Sequence, residues 1–259
     1  MFTVSQRDHV REWVFTRAAA DQRIVAGAVV GSLAKDKGDR WSDLDLMLGV
    51  ADDVAVPDVL DSWSQAVIEE FDAVHLFDLA SESVIYRVFL LPHCLELDLS
   101  FTPASEFAPA GPDVDVAFGE VVERQEDAPT SARELLGYAV HHVLHARAAI
   151  ERGHHWKAEY WISAVRDHAL HLACLRRGLD GWYARDFDRL PADVLEPCNA
   201  ALVRSLDTHE LNRALASAVA ALLLEDAEVE DMIRRFRTQL RELAQLPHVP
   251  PATDSAATD

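Results

Sequence analysis

The chain has 259 residues, 49% hydrophobic and 26% charged, an ordinary globular composition with room for one large or two ordinary domains. Its 24 Lys and Arg face 44 Asp and Glu, and a formal net charge of −20 opposes binding to nucleic acid or anionic lipid while attracting a small cation. There is no uncharged apolar run of roughly 18 residues, no C-x-x-C pair and no apolar leader, so a cytoplasmic protein without membrane span or disulfide framework is expected.

In chain order, a helix is expected over 5–21, followed by the short β-branched run RIVAGAVVG (23–31). DLDLMLGV (43–50) reads as a second strand, and Pro57 opens a helix that runs to Phe71. AVHLFDLA (73–80), VIYRVFLL (84–91) and CLELDLSF (94–101) read as three more strands. The stretch FAPAGPDVD (107–115), rich in Pro and Gly, reads as a connection. Beyond it apolar residues recur every three or four positions over 131–152, 156–178, 191–206, 209–225 and 227–245, with glycines between several of them. Strands followed by a run of helices predict an α+β protein. A small mixed-sheet domain is expected over 1–125, a helical bundle over 126–246, and a disordered tail over 247–259.

The chemistry concentrates in VVGSLAKDKGDRWSDLDLMLGV (29–50). Gly31-Ser32 follows a strand, where backbone N–H groups and a hydroxyl suit phosphate oxygens. Lys35, Lys37 and Arg40 in the next loop are placed to meet the rest of a triphosphate. Asp43 and Asp45, two apart in a strand, share a face, while Leu44 and Leu46 turn the other way. Carboxylates crowded together repel, and divalent cations would neutralise them. In Leu95-Glu96-Leu97-Asp98-Leu99 two further acids share a face. A third carboxylate brought beside Asp43 and Asp45 by strand pairing would complete a two-metal site for in-line phosphoryl displacement.

These residues resemble the signature of the nucleotidyltransferase superfamily typified by DNA polymerase beta. Its pattern is an apolar residue, Gly-Ser, about ten residues, Asp-x-Asp between apolar residues, and a later acid inside an apolar strand. Gly31, Ser32, Asp43, Asp45 and Asp98 fill those places. Lys35 stands where many relatives carry arginine after Gly-Ser-x-Ala, which leaves a positive charge in place. A helical domain after such a module looks like the small aminoglycoside- and lincosamide-modifying branch. The resemblance implies transfer of AMP from MgATP to a small-molecule hydroxyl with release of pyrophosphate. In that reading Asp43, Asp45 and Asp98 are the ligands of two Mg2+ ions, and Glu96 is a general base or acceptor-binding group. Gly31, Ser32, Lys35 and Arg40 would bind the nucleotide. Whether Glu96 or Asp98 is the third metal ligand stays open at this point, because both sit between leucines.

An aminoglycoside acceptor, lodged between the domains, suits the acidic chain best. A lincosamide or another metabolite is an alternative acceptor, and a toxin–antitoxin-like module acting on a protein partner is the alternative class. A monomer or homodimer is expected. His141-His142-Val143-Leu144-His145 has the spacing of H-E-x-x-H, but a histidine replaces the glutamate, so a polar or interface helix face is expected instead of zinc. Trp156, Tyr160 and Trp161 lie at helical spacing and are expected in the core, with a wall of the acceptor pocket as the alternative.

Overall fold

The computed structural model describes residues 1–36, 38–81, 83–109, 113–123, 130–224 and 230–245. Lys37, the expected boundary at 125/126 and the expected tail 247–259 lie outside the described residues. By its internal contacts the chain divides into two compact units, Met1–Glu126 and Asp127–Asp259.

The first unit runs α1 (Val4–Ala20), β1 (Ile24–Val30), β2 (Leu44–Val50), α2 (Val56–Phe71), β3 (Val74–Ser81), β4 (Val84–Leu91), β5 (Leu95–Pro103) and β6 (Val114–Phe118). Thr3 and Gln6 close a capping box at the start of α1, and Pro57 stands in the first turn of α2. The strands form one mixed sheet in the order β3-β4-β5-β2-β1-β6. Strands β2 and β5 run parallel, and the other pairs are antiparallel.

Strict alternation divides the sheet into two unlike faces. Leu44, Leu46, Leu48 and Val50 of β2 join Leu95, Leu97, Leu99 and Phe101 of β5 in one core. Val10 and Val14 of α1 and Val59, Leu60, Trp63 and Val67 of α2 complete it. Burying each such side chain contributes about 1.5–3 kcal/mol, so this face holds the unit together. The Trp63 indole N–H also donates to Asp21 at the end of α1, 3.0 Å away. Among the described residues the other face carries a smaller buried cluster of Ala26, Ala28, Met47, Val84 and Phe107. Its polar end is left for the acids.

Strand β6 corrects the expectation of a connection over 107–115. Val114, Val116 and Phe118 alternate, but Pro109, Gly111 and Pro112 just upstream hide so short a strand. At the opposite edge every residue of β3 is exposed, including Val74, Leu76, Phe77 and Leu79.

The second unit is all helix: α3 (Ala132–Glu151), α4 (His155–Leu175), α5 (Ala192–Ala200), α6 (Thr208–Leu222) and α7 (Glu230–Leu243), joined in places by short 3-10 turns. Ser131 and Glu134 form a capping box on α3, and Gly153 (φ +68°) turns the chain into α4. The expected helix 191–206 ends at Ala200, because Arg213 takes the carbonyls of Ala200 and Leu202. Asp207 then caps a new helix by accepting from the Glu210 N–H at 2.9 Å. Among the described residues no helix is long and apolar enough to cross a membrane.

Trp156 and Tyr160 are not core residues: they are 77% and 62% exposed. The buried stripe of α4 runs Ala158, Ile162, Val165 and Ala169, which turns positions 156 and 160 outward. Only Trp161 packs against the core. It belongs to a column of rings between α3 and α4. Tyr138 stacks on His168, His168 on His142 (5.0 Å between centroids), and Trp161 on His145 (5.0 Å), while His142 lies tilted against Trp161 (4.8 Å).

Burial, reinforced by His168, His141 and His145, pushes His142 down to about 4. Burial lowers His168 as well. The unfolded chain therefore binds more protons than the folded one between pH 6.5 and about 4. The stability these rings contribute is whole above pH 6.5 and is lost as pH falls through that window. His142→Phe, which keeps a ring in the column, should gain on the wild type as pH falls from 6.5 to 4.5. The test is the difference in melting between variant and wild type, followed by circular dichroism from pH 7 to 4.5, since the protonation of other groups in that window cancels in the difference.

Candidate active site

The site is built at one end of the sheet, where β1 stops and β2 and β5 start. Val30, the last residue of β1, pairs with Asp45, and Asp45 pairs across the parallel ladder with Asp98. Adjacent strands lie about 4.8 Å apart, so register alone sets these two carboxylates side by side on the face away from the helices. One residue ahead of the Leu44–Leu97 pair stand Asp43 and Glu96. They form a second, exposed rank of acids beside the half-buried Asp45 and Asp98. Ser100 Oγ, buried, donates to the Leu46 carbonyl at 3.2 Å and ties the two strands just behind the acids.

Gly31 ends the neighbouring strand in a left-handed conformation (φ +72°). A Cβ built there would lie 2.5 Å from Asp45 Oδ2, so only glycine lets the backbone close on that carboxylate. Ser32 follows, exposed, in the 3-10 turn Gly31–Asp36. Gly31→Ala should lose about 1–2 kcal/mol of stability from the backbone conformation alone. Its methyl group would also turn the Asp45 carboxylate aside, so any reaction at this face should fall with it. Denaturant melts beside an activity assay check both effects.

Asp98 is the electrostatic anomaly. Its Oδ1 is buried and has no hydrogen-bond partner among the described residues. Burial, then the charges of Glu96 and Asp43, push its carboxyl up to about 6. A buried carboxylate oxygen left without a donor costs free energy unless a proton or a cation meets it. Hard oxygen donors of this kind suit Mg2+. The orphaned oxygen and the double rank of acids therefore fit a divalent cation in donor chemistry. They do not form a closed coordination sphere: among the described residues no three His, Cys, Asp or Glu side chains converge to hold an ion.

Of the cations expected to face phosphate, Lys35 lies exposed with Nζ 3.9 Å from Asp113 Oδ1. Arg40 lies over the Trp41 ring, 4.1 Å from its centroid. Thus the fold gathers Gly31, Asp45 and Asp98, with Asp43 and Glu96 one rank out and Ser32 in the adjoining turn. Lys35 and Arg40 each also touch a protein side chain, Asp113 and Trp41. Arg7, Trp41 and Asp113 escape the sequence reading. For Trp41 the available signal is an aromatic residue inside the otherwise polar loop DKGDRWSD.

No protein-family model matches the sequence, and no curated protein matches it. Ten chains of solved structures match the fold. One of them is an aminoglycoside 6-adenyltransferase from Bacillus subtilis, 12% identical, with a TM-score of 0.31, over 91% of this chain and 90% of its own. A likeness of that extent decides neither family nor reaction.

Proposed function

We propose that this chain is a metal-dependent nucleotidyltransferase that moves AMP from MgATP to a hydroxyl of a small molecule. The observation that carries the reading is the close approach of Gly31 to Asp45, beside its ladder partner Asp98 with a buried, unpartnered oxygen. Asp43, Asp45 and Asp98 are the residues that would hold magnesium. When bound, the metal supplies charge neutralisation for the triphosphate and acidifies the attacking hydroxyl. Ser32 donates its hydroxyl hydrogen to a phosphate oxygen of the leaving group. Glu96, exposed and with a longer reach than Asp98, takes the proton from the acceptor hydroxyl. The acceptor oxygen then bonds to the α-phosphorus as the bond to the bridging oxygen breaks, and pyrophosphate leaves.

An aminoglycoside is the acceptor that the charge favours, since a polycation is drawn to a surface of net charge −20. Modifying such an antibiotic would confer resistance. An enzyme drawing on MgATP in this way works in the cytoplasm, without nucleic acid or membrane as partner. The test is pyrophosphate release by the full chain with MgATP across a panel of aminoglycosides, lincosamides and other hydroxylated amines. Release that depends on one acceptor and on magnesium is the expected result. No release above the acceptor-free background with any member would overturn the reading.

A further inference from the structure

The loop that carries Trp41 is held more firmly than its polar sequence requires. Arg7 of α1 is 5% exposed and donates from Nη1 to the carbonyls of Asp39 (2.6 Å) and Ser42 (3.1 Å). Within the loop, Asp39 Oδ1 accepts from the backbone N–H of Trp41 at 2.7 Å and of Ser42 at 3.1 Å. The Asp39 N–H in turn donates to Ser42 Oγ at 3.0 Å. On this fixed base stands an indole that is 60% exposed. Burial gains it little there, so folding gives no reason for its size. Arg40 lies over the ring at 4.1 Å, and more than half of the residue's surface is left to solvent.

We propose that Trp41, backed by Arg40, is the stacking platform for the planar base of the nucleotide. This rests on the nucleotidyl-transfer reading and adds to it the group that holds the base. Trp41 stands two residues before Asp43, at most about 7 Å along the chain, so a ring stacked there has its phosphates within reach of the acids. A rigid aromatic on a pinned loop binds without paying much ordering entropy. The guanidinium decides between the two substrates, acceptor and nucleotide, for the ring. A cation lying on the indole repels a polycationic acceptor and attracts the anionic nucleotide. Stacking accepts any base, since every base has a π face, so the platform grips ATP and GTP alike.

Titration calorimetry on the full chain with MgATP, MgGTP and magnesium tripolyphosphate tests this. The wild type is expected to bind both nucleotides more tightly than tripolyphosphate, which has the phosphates but no ring. Trp41→Ala should weaken ATP and GTP by about 5- to 150-fold, the range for loss of one stacked base, and leave tripolyphosphate unchanged. Trp41→Phe should recover most of the affinity. Unchanged nucleotide affinity in Trp41→Ala, or an equal loss for tripolyphosphate, would overturn the platform while leaving nucleotidyl transfer standing. A wild type that binds neither nucleotide nor tripolyphosphate would overturn the transfer reading, and the platform with it.

Discussion

Asp45→Asn should lower magnesium-dependent AMP transfer by about 10³-fold or more, the scale on which removal of a charge-stabilising group acts. The amide keeps the shape that packs against Gly31, so the site's outline survives and only the charge is lost. Melting should keep its cooperative transition, because the amide preserves the side-chain volume beside Gly31. Measuring transfer and melting on the same preparation separates a chemical defect from a folding one. Near-normal turnover would remove Asp45 from the site, and a collapsed melting curve would make it a structural residue instead.

What could be read in advance was whatever depends on local period. The two-residue alternation in LDLMLGV and LELDLSF predicts strands and predicts which face carries the acids, and both are found. Of the six further elements of the first unit, five follow from their own local period, and β6 does not. There Pro and Gly just upstream outweigh three alternating apolar residues. Register is another matter. Nothing in either strand alone says that Asp45 faces Asp98 and not Glu96, since that choice depends on how β5 slides along β2. The parallel pairing therefore had to come from the fold. Side-chain partnerships over long sequence distances were equally hidden. Arg7 reaches carbonyls 32 and 35 residues away, and its role in the Trp41 loop has no local signature. Trp156 and Tyr160 show the converse failure. Their spacing suits a helix, but spacing does not say which face of that helix is covered.

The ladder also separates the two acids of β5, and their variants should behave differently. Asp98 pairs with Asp45 and is half-buried, whereas Glu96 is exposed and pairs with Leu90 on the other side. On the proposed reading Asp98 is the metal ligand and Glu96 the base. Asp98→Asn should abolish transfer at every pH and weaken magnesium binding. Glu96→Gln should bind magnesium and nucleotide normally and lower kcat by about 10²–10⁴-fold, as loss of a general base does. A second readout needs no activity. The folded pKa of Asp98, about 6, lies above the ordinary carboxyl value of 3.8, so in metal-free protein the folded chain holds the extra proton between those values. Ionised Asp98 then costs stability: none below about pH 4, the full amount above about pH 6, of order 2–3 kcal/mol. Metal-free Asp98→Asn should accordingly melt above the wild type at pH 8, with the gap closing as pH falls to 4. Glu96→Gln should relieve only the smaller part of that cost that comes from its charge. Normal magnesium affinity in Asp98→Asn together with lost affinity in Glu96→Gln would exchange the two roles.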